Sequence, residues 1–165
     1  MAHHEWNSDD FEGTSTPYSI RIRRRVADTR RARGLIDTSV VIDLELIDPS
    51  DLPVEVAISA VTMAELAAGP HATQDAAERA RRQERLQRAE ATFEPLPVDA
   101  AAARAYGRVY AAVAAKGRKA RGRRALDLLI AATAVAADLA LYTRNPDDFA
   151  DLTGMVPIVA VKLRR

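Results

Sequence analysis

Three carboxylates stand where they could do chemistry. Asp37 closes the apolar start of "GLIDTSVVID", Glu65 lies in "TMAEL", and Asp127 lies in "ALDLLIAATA". Asp127 is followed at i+3, i+4 and i+7 by Ile130, Ala131 and Ala134, which sets its carboxylate on the apolar, inward face of a helix. A carboxylate facing a core is costly unless something pairs with it. Three of them repel one another unless a cation neutralises them. Hard oxygen donors with no histidine or cysteine beside them favour Mg2+, with Mn2+ as the substitute, over zinc. An ion held that way lowers the pKa of its water and stabilises charge building on phosphate oxygens, so the set suits hydrolysis of phosphate esters. Each acid also has a plain structural explanation. Asp37 can cap the next helix, Glu65 can lie on the surface, and Asp127, in the first turn of its helix, can answer the helix dipole. The three together argue for a site.

The elements that must position them alternate. "LID" reads as a strand and "TSVVIDLEL" as a helix with a hydroxyl cap available. "VEVAIS" (54–59) is a β-branched strand, and "AVTMAELAAG" a short helix ended by Gly69. "ATQDAAERARRQERLQRAEATF" is a long charged helix and "FEPLPV" another short strand. Asp99 caps a helix that carries Tyr106 and Tyr110 one turn apart. The apolar Asp127 helix follows, then the strand "ALYTRN", a helical turn from Pro146 and a last strand, "PIVAV". This order predicts an α/β fold, a three-layer sandwich whose central parallel sheet is covered by helices on both faces. In such sheets the functional crevice lies beyond the C-terminal ends of the strands. Asp37 and "TRNPDD" both sit at such ends.

The words "LIDTSVVI", "ISAVTMAEL", "ALDLLIAATA" and "LYTRNPDDF", in that order, resemble the successive motifs of PIN-domain ribonucleases, and most of all the VapC-type toxins of bacterial type II toxin–antitoxin modules. The resemblance runs from Gly34 to the C-terminus. It implies a PIN-like fold and a Mg2+-dependent endoribonuclease that cuts cellular RNA, is neutralised by a small cognate VapB-type antitoxin and forms a homodimer through helices. It implies that Asp37, Glu65 and Asp127 bind the metal and activate water. Thr38 or Ser39 then hydrogen-bonds within the site or caps the helix. Family members often carry a further acid just after "TR", where this chain has Asn145. Asp147 and Asp148 follow, and Asp147 is expected nearer the crevice.

Basic residues cluster beside the acids. "KGRKARGRR" (116–124) has six basic residues among nine and precedes the Asp127 helix, so Lys119, Arg121, Arg123 and Arg124 are candidates to contact the RNA backbone. The alternative is a solvated loop. Arg79, Arg81, Arg82, Arg85 and Arg88 are interleaved with Glu78, Glu84 and Glu90 and read as a solvated helix face.

The chain has 165 residues, 24 basic and 23 acidic, and no cysteine. One domain is expected over 34–165. Residues 1–33, polar and ending in "IRIRRRVADTRRARG", are expected to be a disordered tail, with a nucleic-acid-binding arm as the alternative. The near-neutral balance leaves electrostatic function to local clusters, and the lack of cysteine excludes disulfides and zinc–thiolate sites. "LLIAATAVAA" is too short to span a bilayer, and a cytoplasmic protein is expected, with no membrane partner. Rival chemistries fit less well. A haloacid-dehalogenase-type phosphatase needs an acid at position 39, which is Ser39. Nucleotide binding wants a glycine-rich loop after the first strand. Histidine-based cleavage has only His3, His4 and His71 to draw on. A PIN-like nuclease of structured DNA, or a catalytically weak nucleic-acid-binding module, remain as alternatives.

Overall fold

The computed structural model describes residues 32–164. Its centre is a four-stranded, wholly parallel sheet of β1 (Arg33–Ile36), β2 (Glu55–Ala57), β3 (Ala140–Thr143) and β4 (Ile158–Ala160), in the order β2-β1-β3-β4. Buried strands of parallel sheets are apolar nearly throughout, and β3, "ALYT", is buried at every residue. Leu35 pairs with Ala57 on one side and Leu141 on the other. Because side chains alternate across a sheet, Leu35 and Leu141 join one core while Ile36, Ala140 and Tyr142 join a second.

Five helices cover the two faces: α1 (Thr38–Ile42), α2 (Ala60–Ala68), α3 (Ala76–Thr92), α4 (Ala100–Ala115) and α5 (Arg123–Ala136). One core holds Ala105, Val109 and Val113 of α4 with Leu128, Ala131 and Ala134 of α5. The other holds Val40 and Val41 of α1 with Leu86 and Ala89 of α3. The expected three-layer α/β sandwich is therefore present. Among the described residues no helix is long and apolar enough to cross a membrane.

Several local readings change. The helix after β1 stops at Ile42 and a 3-10 turn, Leu44–Leu46, follows. The run Val40-Val41-Ile42 is β-branched and propagates a helix poorly, and the Asp43 carboxylate accepts a hydrogen bond from the Arg144 guanidinium at the break. "FEPLPV" does not form a strand. Only Leu96 bridges to Ser59, bonding through its N–H to Ile58 and through its C=O to Ala60. The prolines on either side have no N–H to extend the ladder. Residues 1–31, the bulk of the expected tail, lie outside the described residues, but Arg33 belongs to β1, where it pairs with Glu55. β1 thus begins at Arg33, one residue before the expected start of the domain.

Gly34 makes the centre of the sheet possible. A Cβ there would lie 2.4 Å from the ring of Tyr142 and 3.0 Å from Pro53. Its hydrogen side chain lets the Tyr142 ring lie against β1, and Tyr142 in turn receives the backbone N–H of Asp37 at 3.0 Å.

Candidate active site

From β1 the chain winds to β2 on one side, and later returns to β3 and β4 on the other. The crevice of such a sheet lies at this reversal, beyond the C-terminal ends of β1 and β3. Asp37 follows β1 there, and Thr143 ends β3.

Asp37 is 5% exposed and its carboxylate is fully engaged. Oδ1 accepts from the backbone N–H of Val40 at 3.1 Å and from the Ser39 hydroxyl at 2.6 Å. Oδ2 accepts from the Thr143 hydroxyl at 2.6 Å. Asp37 is thus the N-cap of α1 as well as a crevice acid, so the two explanations of it hold together. Both following hydroxyls serve the crevice. Ser39 also accepts the Arg144 N–H at 3.1 Å, and Thr38 donates to Glu65 Oε2. Thr143, fully buried, accepts from the Asn145 N–H at 3.0 Å while it holds Asp37. Thr143 escaped the sequence reading. Its one signal was a hydroxyl closing an otherwise apolar strand, which costs free energy unless it is bonded.

Glu65 sits on α2, a helix capped by the Ser59 hydroxyl, which accepts from the Thr62 N–H at 3.0 Å. Asp127 is placed by α5, and that helix begins at Arg123 rather than at Ala125. Asp127 is therefore its fifth residue, in the second turn, and the dipole explanation loses force because the effect falls off within the first turn. Its electrostatics point the other way. Burial, then the negative charges of Asp148 and Glu65, raise the Asp127 carboxyl from the ordinary 3.8 to about 6, with Asp37 adding a little and Arg123 offsetting part. Those charges mark Asp37, Glu65, Asp127 and Asp148 as one acidic cluster.

Asp147 is not among the charges acting on Asp127, against the expectation that it would lie nearer than Asp148. The segment Pro146–Leu152 is a 3-10 helix, and the Asp148 N–H bonds to the Asn145 carbonyl at 3.1 Å. Three residues per turn bring position 148 round to the crevice and turn 147 away. Asn145 is exposed, and its N–H is spent on Thr143.

The donor set is chemically apt for a hard divalent cation, since it is all carboxylate and mutually repulsive. Among the described residues, however, no three His, Asp or Glu side chains are arranged to hold a metal ion as they stand. The carboxylates of Asp37 and Glu65 are bonded to hydroxyls instead.

The basic segment divides in two. Arg124 pairs with Asp151 at 3.3 Å, as does Arg118 at 3.1 Å, and Arg124 Nε is buried. The ion pair ties that guanidinium to Asp151, while its Nε has no hydrogen-bond partner among the described residues. Lys119 and Arg121 stand exposed on the loop 116–122. Arg123 lines a groove of about 320 Å3 with Thr38, Glu65, Glu78, Arg82 and Arg85, which meets the acidic cluster at Glu65. Two arginines of α3 therefore line that groove, where a solvated helix face was expected. Asp37, Ser59, Asp75 and Asp99 cap the first four helices, while Gly122 gives α5 no side-chain cap.

The chain resembles known proteins in sequence and fold. Residues 34–154 match the PIN domain family. Ribonuclease VapC5 of Mycobacterium tuberculosis is 38% identical over 138 residues, which span 82% of this chain and 98% of that protein. The crystal structure of VapBC-5, a member of the VapBC family of toxin–antitoxin systems from the same organism, superposes with a TM-score of 0.70 at 39% identity, covering 79% of this chain and 99% of the other. VapBC2 of Rickettsia felis, at 22% identity, shares the fold with a TM-score of 0.62 over 79% of this chain and 99% of that one. The sheet order, the acids gathered at its reversal and the near full-length match to VapC5 together make this chain a member of the PIN-domain family, of its VapC type.

Proposed function

We propose that the chain is a metal-dependent endoribonuclease that acts as a toxin on cellular RNA. The observation that carries this reading is the acidic cluster at the sheet's reversal, in which a buried Asp37 and a desolvated Asp127 share the crevice with Glu65 and Asp148. Asp37, Glu65 and Asp127 would hold Mg2+, or Mn2+, with Asp148 the best placed fourth acid. When bound, such an ion supplies an activated water and offsets charge on the phosphate. The chain's own residues do the rest. Thr143 and Ser39 fix the Asp37 carboxylate, and Thr38 steers Glu65. For the acids to converge on a cation, Thr38 must release Glu65 or share it.

The 38% identity to a ribonuclease supports RNA as the substrate, and the VapBC complex supports neutralisation by a small VapB-type antitoxin. Exposed Val98 and Tyr110, at the start and on the outer face of α4, support a homodimer through helices. We place the protein in the cytoplasm, where its substrate would be. A second reading, a catalytically weak nucleic-acid-binding module, is favoured by one observation: among the described residues Asp37 and Glu65 are bonded to hydroxyls rather than gathered into a three-acid cage. Incubating total RNA with the purified protein in Mg2+, in Mn2+ and in EDTA, and mapping new 5′ ends, decides between them. New ends that need the metal and vanish with Asp37→Asn support the nuclease. RNA binding with no new ends in either metal supports the module.

A further inference from the structure

We infer that Arg85 of α3 and Arg123 of α5 form a two-sided phosphate clamp that seats the substrate strand across the acidic crevice, an assignment that rests on the endoribonuclease reading. Helix α3 carries five arginines, and four of them have partners. Arg79 donates to the Thr73 carbonyl, Arg81 and Arg82 pair with Glu78, and Arg88 pairs with Glu45. Arg82 is doubly held, since its Nη1 also donates to the Gly69 carbonyl at 3.0 Å. These hydrogen bonds, Arg82's first, keep the Glu78 carboxyl below its ordinary value. Arg85 alone of the five makes no hydrogen bond or ion pair among the described residues, although it is partly buried. A half-desolvated guanidinium without an anion is poorly stabilised where it stands.

Its place tells which anion would suit it. Arg85 lies on the wall of the groove that contains Thr38 and Glu65, and Arg123 lines that groove from α5. Arg123 has no ion-pair partner among the described residues either, and its charge is felt at Asp127. One groove thus holds Glu65 of the acidic cluster, a Glu78 already paired to Arg81 and Arg82, and two guanidinium groups from different helices that have no ion pair among the described residues. A phosphodiester chain matches this pattern, since it presents a negative charge at every residue and guanidinium binds phosphate in a two-toothed fashion. The phosphate to be cut would lie over the acids, with its neighbours on Arg85 and Arg123. Arg82, held by Glu78 and the Gly69 carbonyl, would brace the wall beside Arg85.

The test uses a short fluorescein-labelled single-stranded RNA and the full chain. Binding is followed by anisotropy in EDTA across a salt series, and cleavage in Mn2+ gives KM and kcat separately. Arg85→Ala and Arg123→Ala should each weaken binding about tenfold or more and lower the slope of log affinity against log salt by about 0.7. KM should rise with kcat nearly unchanged. Arg85→Lys should recover the slope and part of the affinity, a rescue that damage to the fold would not give. Arg79→Ala, which removes the same charge from α3 away from the groove, should behave as wild type. The clamp is wrong if wild type binds and cleaves RNA while Arg85→Ala and Arg123→Ala keep its affinity, slope and KM. It is also wrong if Arg85→Ala keeps RNA affinity yet loses co-purification with its protein partner, which would assign the groove to that partner. Wild-type protein that neither binds nor cleaves RNA would overturn both the clamp and the nuclease reading on which it rests.

Discussion

Replacing Asp127 with asparagine should stabilise the metal-free protein. In the fold the Asp127 carboxyl titrates at about 6 instead of 3.8, first because it is buried and then because Asp148 and Glu65 are negative. A group that binds its proton more tightly when folded adds stability below its unfolded pKa and loses that contribution as pH rises through its folded pKa. At pH 7.5 the wild type therefore carries a strained charge. A shift of about two units corresponds to at most about 3 kcal/mol. Asp127 keeps some contact with water, and screening there leaves about 1–2 kcal/mol. Asparagine keeps the shape and removes the charge. Urea unfolding in EDTA at pH 7.5 should give the Asp127→Asn variant a higher midpoint with an unchanged m-value. The gap should narrow as pH falls through about 6 and close below about 3.8, where both states of the wild type are protonated. Adding Mg2+ should then stabilise the wild type more than the variant, because a ligand that binds only the folded state adds to its stability. If Asp127→Asn is no more stable than wild type at pH 7.5 in EDTA, the account of a repulsive acidic cluster fails.

Three further outcomes follow from the same geometry. Asp37→Asn should abolish metal-dependent RNA cleavage, by about 10²-fold or more, while circular dichroism shows a folded protein; cleavage at the wild-type rate would remove Asp37 from the site. In Mg2+ titrations of cleavage, Asp148→Ala should shift the midpoint more than Asn145→Ala or Asp147→Ala, and a larger shift for Asp147→Ala would refute the 3-10 placement as the deciding factor. Gly34→Val should lower the thermal midpoint markedly, because its side chain must displace the Tyr142 ring or Pro53; a midpoint equal to wild type would show that the centre of the sheet has room to spare.

The acids were readable in the sequence because the signal was local. Asp37 ends an apolar run, and Asp127 interrupts the inward face of a helix whose period is plain. Strand order was not readable, since parallel neighbours are set by packing between distant segments. The same limit hid the part played by α3. A helix of alternating arginine and glutamate looks solvated on every side, and only the packing of α3 beside α2 singles out Arg82 and Arg85. The choice between Asp147 and Asp148 turned on how tightly the helical turn from Pro146 winds, because local sequence does not distinguish three residues per turn from 3.6. "FEPLPV" misled because its apolar alternation is sound while its prolines deny it a ladder.

The bond from Thr143 to Asp37 joins residues 106 positions apart. Its consequence is one of timing. A contact that closes so long a stretch of chain forms late, and synthesis delivers the first partner well before the second. While a ribosome is still making the protein, β1 can exist without β3, but Asp37 then lacks the hydroxyl that aims it and Asp127 lacks the charge of Asp148. Translation that stalls before residue 143 should release a harmless fragment. On the endoribonuclease reading, activity would begin only after both β1 and β3 have emerged and Thr143 has met Asp37.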